Sequence, residues 1–399
     1  MGKWPMVKLG EVLEHRKEFV LIDDLTEYKR CRVQLHAQGI VLRDLVPGAE
    51  IKTKKQQVCK AGDFLVAEID AKVGGYGIVP DDLEGAIVSS HYFLFTVIEQ
   101  KLDRRFLGYF TKTPYFQEQV TAQGSTNYAA IRPSHVLDYE ISLPPLAEQR
   151  RIVAKIDALA AKIDEARVLR KQAGEEAEAV VSAKARDVLS KAATEVTPLS
   201  TWLDDPKGGI QTGPFGAQLG RGDFVPDGVP LLTIGNVQYS GLKTAPLIHV
   251  TEAKATQLGR YRAKEGDILF ARMGTVGRCC VVPAEADGWL FNYHIIRVAL
   301  DCKRIDPRYV HWSIRSSTDI EEYLEVNIRG ATREGVNSKI VGGLPLRVPP
   351  LPEQRRIVAR LDALQAQVDA LKQTQAASAA ELDALLPSVL DRAFKGEAL

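Results

Sequence analysis

Apolar and polar positions along this chain follow two different periods. From about residue 144 to 195, and again from 349 onward, apolar residues recur at helical spacing. In the second stretch they fall at Ile357, Leu361, Leu364, Val368 and Leu371, then resume at Leu382, Leu385 and Val389. Steps of four and three define a heptad seam, with Gln375 and Ser378 as polar interruptions. The first stretch has Ile152, Ile156, Leu159, Ile163 and Ala166 at matching places, then drifts through Leu169 to Val180 and Val181. Each stretch opens on a proline pair, Pro144-Pro145 or Pro349-Pro350. Proline fixes φ and keeps the residue before it out of the helical region, so a helix is expected just after each pair. Glu148 and Glu353 then fall in first turns, where the helix dipole favours an acid. Pro387 is expected to end or kink the second helix near its last turn. At 1.5 Å per residue, helices of about 40 to 50 residues span roughly 60 to 75 Å. Two such seams are expected to pack on each other as an antiparallel pair, a spacer for the rest of the chain; the alternative is that each packs on its own globular domain. Alanine-rich stretches such as Ala158-Leu159-Ala160-Ala161 permit close approach.

The remaining segments carry short β-rich runs between Gly, Pro and Asp turns: Ala86 to Val88, Tyr92 to Val97 and His294 to Val298. Phe106 to Gln119 and Pro307 to Leu324 read as short helices, and no βαβ alternation is present. The fold class expected is α+β. Two mixed α/β domains, 1–143 and 196–348, are separated by two long antiparallel coiled-coil helices, 144–195 and 349–399, with a pseudo-twofold internal repeat.

The repeat is explicit. Pro144-Pro145-Leu146-Ala147-Glu148-Gln149-Arg150-Arg151-Ile152-Val153-Ala154 recurs as Pro349-Pro350-Leu351-Pro352-Glu353-Gln354-Arg355-Arg356-Ile357-Val358-Ala359. Extended to Leu159 and Leu364, the two runs share 13 of 16 residues at an offset of 205. Weaker matches lie upstream: Gly62-Asp63-Phe64-Leu65 with Gly266-Asp267-Ile268-Leu269, Val79-Pro80 with Val282-Pro283, and His91 with His294.

Charge narrows the functional classes. The 399 residues carry 52 basic and 51 acidic side chains, so a simple polycation that coats nucleic acid is excluded. By segment the net charge is −1 for 1–143, +1 for 144–195, +2 for 196–348 and −1 for 349–399, so neither variable domain is strongly basic. Five cysteines with no C-x-x-C spacing argue against a disulfide scaffold or zinc ribbon, and no apolar run is long enough to span a membrane. A cytoplasmic location is expected. Catalytic motifs are absent. Ser240-Gly241-Leu242-Lys243-Thr244 lacks the first glycine of a phosphate loop, and Gly74, Gly75 and Gly77 do not form G-x-G-x-x-G. Both proline pairs lie outside any N-P-P-Y context, and no H-E-x-x-H occurs. Cys279-Cys280 sits in a β-like run and reads as buried structure. No metal site is expected.

At the duplicated Pro-Pro-Leu-x-Glu-Gln-Arg-Arg-Ile-Val helix starts, the chain resembles the specificity (S) subunits of type I restriction–modification systems, over essentially its full length. Gly266-Asp267-Ile268-Leu269-Phe270-Ala271-Arg272-Met273-Gly274-Thr275-Val276-Gly277 looks like the family's G-D-I-L-x-x-R-x-G-x-x-G element; in the first half Glu68 stands at the arginine's place. The resemblance implies a non-catalytic DNA reader. Each variable domain would recognise one half of a split, asymmetric target in double-stranded DNA, with the helices setting the spacer. Those helices would dock two methyltransferase (modification) subunits, which use S-adenosylmethionine; motor-nuclease restriction subunits would join through them. This chain itself needs no cofactor in that scheme. Half-sites on one face of a duplex lie about one turn, roughly 34 Å, apart. A protein-only coiled-coil adaptor, or a specificity subunit serving a fused nuclease–methylase, are the competing readings.

Base edges are read by Arg or Lys at guanine, Asn or Gln at adenine, and Ser or Thr at either. Candidates in the second domain are Thr212, Phe215, Arg272, Thr275, Asn292, His294, Arg329, Thr332 and Arg333. Phe215, in Gly213-Pro214-Phe215-Gly216, is either buried or packed on DNA. In the first domain they are Lys72, Tyr76, Ser90, His91, Ser125, Thr126, Asn127 and Tyr128. Lys52, Lys54 and Lys55 form a basic run suited to a solvated face or to phosphate. For partner docking, the duplicated Glu148, Gln149, Arg150, Arg151 and Glu353, Gln354, Arg355, Arg356 are the candidates, their alternative role being helix capping and surface charge pairing.

Overall fold

Each half of the chain is built on a four-stranded antiparallel sheet with its helices, and carries a second, larger or equal sheet of its own. The computed structural model describes residues 4–121, 130–215, 218–274, 277–328 and 335–397. In chain order the first half has β1 (Met6–Lys8), β2 (Leu13–Arg16), β3 (Phe19–Leu21), β4 (Glu27–Gln34), β5 (Gly39–Pro47), β6 (Lys55–Val58), β7 (Phe64–Ala67), β8 (Tyr76–Ile78), β9 (Ile87–Val88), β10 (Tyr92–Val97), α1 (Arg104–Phe110), α2 (Pro114–Thr121), α3 (Pro133–Asp138) and β11 (Glu140–Ser142). Helix α4 (Leu146–Ser190) follows. The second half has β12 (Thr197–Pro198), β13 (Ile210–Thr212), β14 (Phe224–Val225), β15 (Val229–Leu232), β16 (Val237–Gln238), β17 (Gly241–Leu242), β18 (Ile248–Val250), α5 (Glu252–Gln257), β19 (Ile268–Ala271), β20 (Cys279–Val281), β21 (Leu290–Phe291), β22 (Ile295–Val298), α6 (Pro307–Ser316), α7 (Thr318–Ile328), α8 (Ser338–Gly342) and β23 (Pro345–Leu346). Helices α9 (Leu351–Ala377) and α10 (Ala379–Phe394) end the chain.

By packing the chain forms two units, Met1–Arg170 with Gln375–Leu399, and Lys171–Thr374. In the first, a four-stranded sheet runs β2-β10-β7-β8 and a five-stranded one β3-β6-β9-β4-β5. In the second, the corresponding sheet runs β13-β22-β19-β20, beside β14-β18-β15-β21. The equivalence extends to single hydrogen bonds. The Gly62 N–H donates to the Val79 carbonyl at 2.8 Å, as Gly266 does to Val282 at 3.0 Å. Asp63 Oδ2 accepts from the Lys60 N–H at 2.8 Å, and Asp267 Oδ2 from the Lys264 N–H at 2.8 Å. Both carboxylates are buried beside an arginine, Arg16 from β2 in one copy and Arg297 from β22 in the other.

The helices pair within each unit. In the first, α4 runs antiparallel to α10: Arg167 Nη2 donates to Asp383 Oδ1 at 2.7 Å, and Ile152 and Ile156 share a core with Leu390 and Ala393. In the second, Val181, Ala185 and Leu189 of α4 pack on Ile357, Leu361 and Val368 of α9. Glu178 accepts from Lys372 Nζ at 2.6 Å beside them.

Two details depart from the expectation. The C-terminal helix breaks at Ser378, the polar interruption of the seam, and α10 continues through Pro387 to Phe394. Burial explains the continuation, because Leu390 and Ala393 are core residues and the Phe394 ring lies 4.7 Å from Phe106. The two expected short helices are each split. Thr111 to Thr113 separate α1 from α2, and Ser317 separates α6 from α7. Asp103 caps α1 through the N–H groups of Arg105 and Phe106, and Asp306 caps α6 through that of Arg308.

Candidate nucleic-acid interface

The duplicated helix starts are latched to the segments that open α1 and α6, and Gln149 and Gln354 make these latches from the inside. Both are fully buried. Gln149 Nε2 donates to the carbonyls of Lys101 and Pro144, each at 2.9 Å, while its Oε1 accepts from the Asp103 N–H at 2.8 Å. Gln354 repeats this with Arg304 (3.2 Å), Pro349 (2.9 Å) and the Asp306 N–H (2.8 Å). Each amide therefore ties a helix start to the capping residue of α1 or α6. The expectation that these glutamines dock a partner is corrected: no surface is available on a buried amide whose three polar contacts are satisfied internally.

A second duplicated clamp lies two turns further on. Asp157 accepts from Arg105 Nη2 at 2.7 Å and from the Tyr109 hydroxyl at 2.6 Å. Asp362 accepts from Trp312 Nε1 at 3.0 Å and pairs with Arg308 Nη2 at 2.8 Å. The other helix-start candidates face outward. Arg151 and Glu148 form a bidentate pair, as do Arg356 and Glu353, and Arg150 and Arg355 are exposed.

In the second unit, several DNA-contact candidates converge at the end of β19. The main-chain N–H of Arg272 donates to the His294 carbonyl at 2.9 Å, and its Nη1 donates to the Tyr293 carbonyl at 2.9 Å. The guanidinium lies 5.8 Å from the centre of the Phe215 ring, and Phe215 is 60% exposed. Phe215 is thus on the surface. Tyr293, 38% exposed, stacks 3.8 Å from the His294 ring. Desolvation, and then the charge of Arg272, lower the pKa of His294, favouring a neutral ring. Gly213 makes the arrangement possible, because a Cβ there would lie 2.2 Å from the Asn292 carbonyl oxygen. Asn292 itself is a turn former whose Oδ1 accepts from the His294 N–H at 3.1 Å, and Thr212 Oγ1 lies 3.4 Å from Ser338 Oγ at the start of α8.

The first unit has the same backbone and different chemistry. The Glu68 N–H donates to the His91 carbonyl at 2.9 Å, and His91 Nδ1 lies 2.7 Å from Glu68 Oε2. Ser90 is exposed and Lys72 half-buried. Tyr76 is corrected: it is only 1% exposed, packed edge-on to Phe116 at 5.0 Å, and cannot reach DNA. Its place between glycines suggests a loop, yet it lies in β8 on the core side. Gly74 serves the backbone instead. It adopts φ +82°, and a Cβ there would lie 2.5 Å from the Ala37 nitrogen in the β4–β5 turn. Lys52, Lys54 and Lys55 are exposed, with Lys54 paired to Asp24 and Lys55 over the Phe19 ring. Ser125, Thr126, Asn127, Tyr128, Thr275, Arg329, Thr332 and Arg333 lie outside the described residues.

Tyr293 and Glu68 were not among the sequence candidates, whereas His91, which pairs with Glu68, was. Tyr293 stands between two that were, and the signal for Glu68 was its alignment with Arg272. Among the described residues no group of three or more His, Cys, Asp or Glu side chains could hold a metal ion, and no helix is long and apolar enough to cross a membrane.

Comparison with known proteins identifies the class to which this duplicated sheet-and-helix scaffold belongs. The chain belongs to the type I restriction modification DNA specificity domain family, whose model matches residues 1–171 and 225–378. It is similar to the type I restriction enzyme EcoBI specificity subunit of Escherichia coli, at 24% identity over 81% of this chain and 75% of that one. It is likewise similar to the StySPI specificity subunit of Salmonella potsdam, at 24% identity over 75% and 66%. The chain thus spans about two thirds to three quarters of these relatives' length. Among solved structures, a chain from a study of complex assembly and conformational transition of the type I R-M system matches with TM-score 0.72 and 25% identity, over 100% of this chain and 98% of that one. The HsdS subunit from Thermoanaerobacter tengcongensis matches with TM-score 0.60 and 25% identity, over 99% and 97%.

Proposed function

We propose that this chain is the DNA-reading subunit of a type I restriction–modification complex, with one half of a split, asymmetric target read by each unit. The observation that supports this best is the contrast between what the two copies keep and what they change. The buried latches and clamps are repeated residue for residue or nearly so, while the polar surface at the ends of the inner strands β7 and β19 differs. A duplicated scaffold with divergent strand ends suits two different half-sites on one DNA.

In this reading the chain performs no chemistry. Methyltransferase subunits bring S-adenosylmethionine and modify adenine, docking on the exposed parts of the helix starts, Arg150 with Arg151 and Arg355 with Arg356; restriction subunits join through them. The small net charge of the chain suits a reader that relies on its partners for much of the phosphate attraction.

The test is methylome sequencing of cells that express this chain together with its modification subunit. A split motif with a modified adenine in each half is expected. A contiguous motif, or modification that persists when this chain is deleted, contradicts the assignment.

A further inference from the structure

The two readers carry opposite charges at one equivalent position, and the backbone shows that the position is the same. The Glu68 N–H donates to the His91 carbonyl as the Arg272 N–H does to that of His294, each at 2.9 Å. On the other side, the Glu68 carbonyl accepts from the Ile131 N–H at 2.9 Å, and the Arg272 carbonyl from the Val336 N–H at 3.0 Å. Each residue directly follows the central strand β7 or β19 of its sheet. A cation and a carboxylate thus occupy one place on one scaffold.

That inversion bears on what the place touches. A position facing phosphate in both copies could not hold a carboxylate in one of them without like-charge repulsion. A position facing base edges can hold either, because the major groove offers acceptors on guanine and an amino donor on cytosine. The surroundings agree. Arg272 is held by the Tyr293 carbonyl beside Phe215, so its planar fork is oriented before any ligand arrives. Exposed aromatic faces at Phe215 and Tyr293 suit flat bases and thymine methyl groups better than phosphate. In the first copy His91 engages one carboxylate oxygen of Glu68, and the other accepts no hydrogen bond from the described residues.

We infer that Arg272 and Glu68 are equivalent base-reading positions: Arg272 specifies a guanine in the half-site of the second unit, and Glu68 a cytosine, through its amino group, in that of the first. This rests on the DNA-reading assignment above.

The experiment uses the whole modification complex. Methylomes are compared for wild type, Arg272→Ala, Arg272→Lys and Glu68→Arg, and binding is measured to duplexes carrying each of the four bases at every specified position. Wild type should prefer one guanine in one half and one cytosine in the other by roughly tenfold to a hundredfold. Arg272→Ala should make that guanine position degenerate while the other half stays strict. Arg272→Lys, which keeps charge but loses the fork, should also lose discrimination there. Glu68→Arg should convert the cytosine preference to guanine in the other half only. If Arg272→Ala lowers affinity for all duplexes alike and shallows the salt dependence by about one ion, Arg272 is a phosphate anchor and the inference fails. An unchanged motif in all three variants also overturns it. A wild-type complex with no split motif overturns the DNA-reading assignment itself, a separate result.

Discussion

Replacing Gln354 with alanine tests the most consequential revision to the reading of the helix starts. The side chain is fully buried and makes three hydrogen bonds, and its loss strands all three partners. The Pro349 carbonyl is buried with it; the Asp306 N–H and Arg304 carbonyl are partly so. Leaving one buried polar group unpaired costs about 1–3 kcal/mol, and partly accessible groups recover some of that from water. The sum is about 3–5 kcal/mol. For a unit of this size each kcal/mol lowers the melting temperature by about 2–4 °C, so a fall on the order of 10 °C is expected for the transition that carries the second unit. Gln354→Glu should be no better at neutral pH, because a carboxylate can accept from Asp306 but faces two carbonyls. Its folded pKa should be raised, so that stability is lost as pH rises through that value. By contrast, Arg355→Glu on the exposed face of the same turn should change stability by no more than about 0.5 kcal/mol and instead weaken assembly with the modification subunits. The assay is urea unfolding and calorimetry of the chain, with complex stoichiometry measured in parallel. Were Gln354→Ala within 0.5 kcal/mol of wild type and deficient only in assembly, the inward latch would be wrong and a docking role restored.

Two further outcomes follow from the second unit. Asp362→Ala removes the acceptor of Trp312 Nε1 and the partner of Arg308; a red shift in tryptophan emission and a loss of about 1–3 kcal/mol are expected, read by fluorescence during urea unfolding. Burial pushes the His311 imidazole down to about 4, from an ordinary value near 6.5. A base with a depressed folded pKa contributes fully above pH 6.5 and loses that contribution as pH falls toward 4. Wild type should therefore lose roughly 3 kcal/mol relative to His311→Leu between pH 6.5 and 4. The difference between the two proteins is the readout, because burial holds Asp267 up at about 6 and its protonation acts in the opposite direction. A constant difference across that range contradicts a His311 held neutral in the folded chain.

Much of the architecture was legible because local rules and tertiary structure agree there. A proline pair followed by a heptad pattern leaves little choice, and α4 and α9 start where expected. What was hidden depended on direction or on distant pairing. Glu-Gln-Arg-Arg reads as a polar surface, and nothing in those four letters says that the glutamine points inward while its neighbours point out. The seam misleads in the same way, since Leu159, Leu371 and Leu385 fit the pattern yet are at least a third exposed. Tyr76 failed for the opposite reason, as glycine neighbours masked a core strand. The order β3-β6-β9-β4-β5, with β4 and β9 parallel, joins segments about 55 residues apart through pairings that no local pattern encodes.

The divergence of the two copies separates what the scaffold demands from what it leaves open. A buried carboxylate follows the first glycine of each Gly-Asp pair, and both copies keep it and set an arginine beside it. They take that arginine from different strands, β2 for Asp63 and β22 for Asp267, so compensation of charge is retained and the particular residue is not. The clamps behave likewise: Tyr109 and Trp312 differ as side chains but both donate to an aspartate on the long helix. Positions under such constraint can vary only by substitutions that preserve the interaction. Position 68 against 272 breaks that rule, because a carboxylate replaces a guanidinium with no compensating exchange of charge at His91 and His294. An inversion tolerated on an otherwise conserved frame means that the frame does not depend on the sign of that side chain, which is what the inferred base-reading role requires.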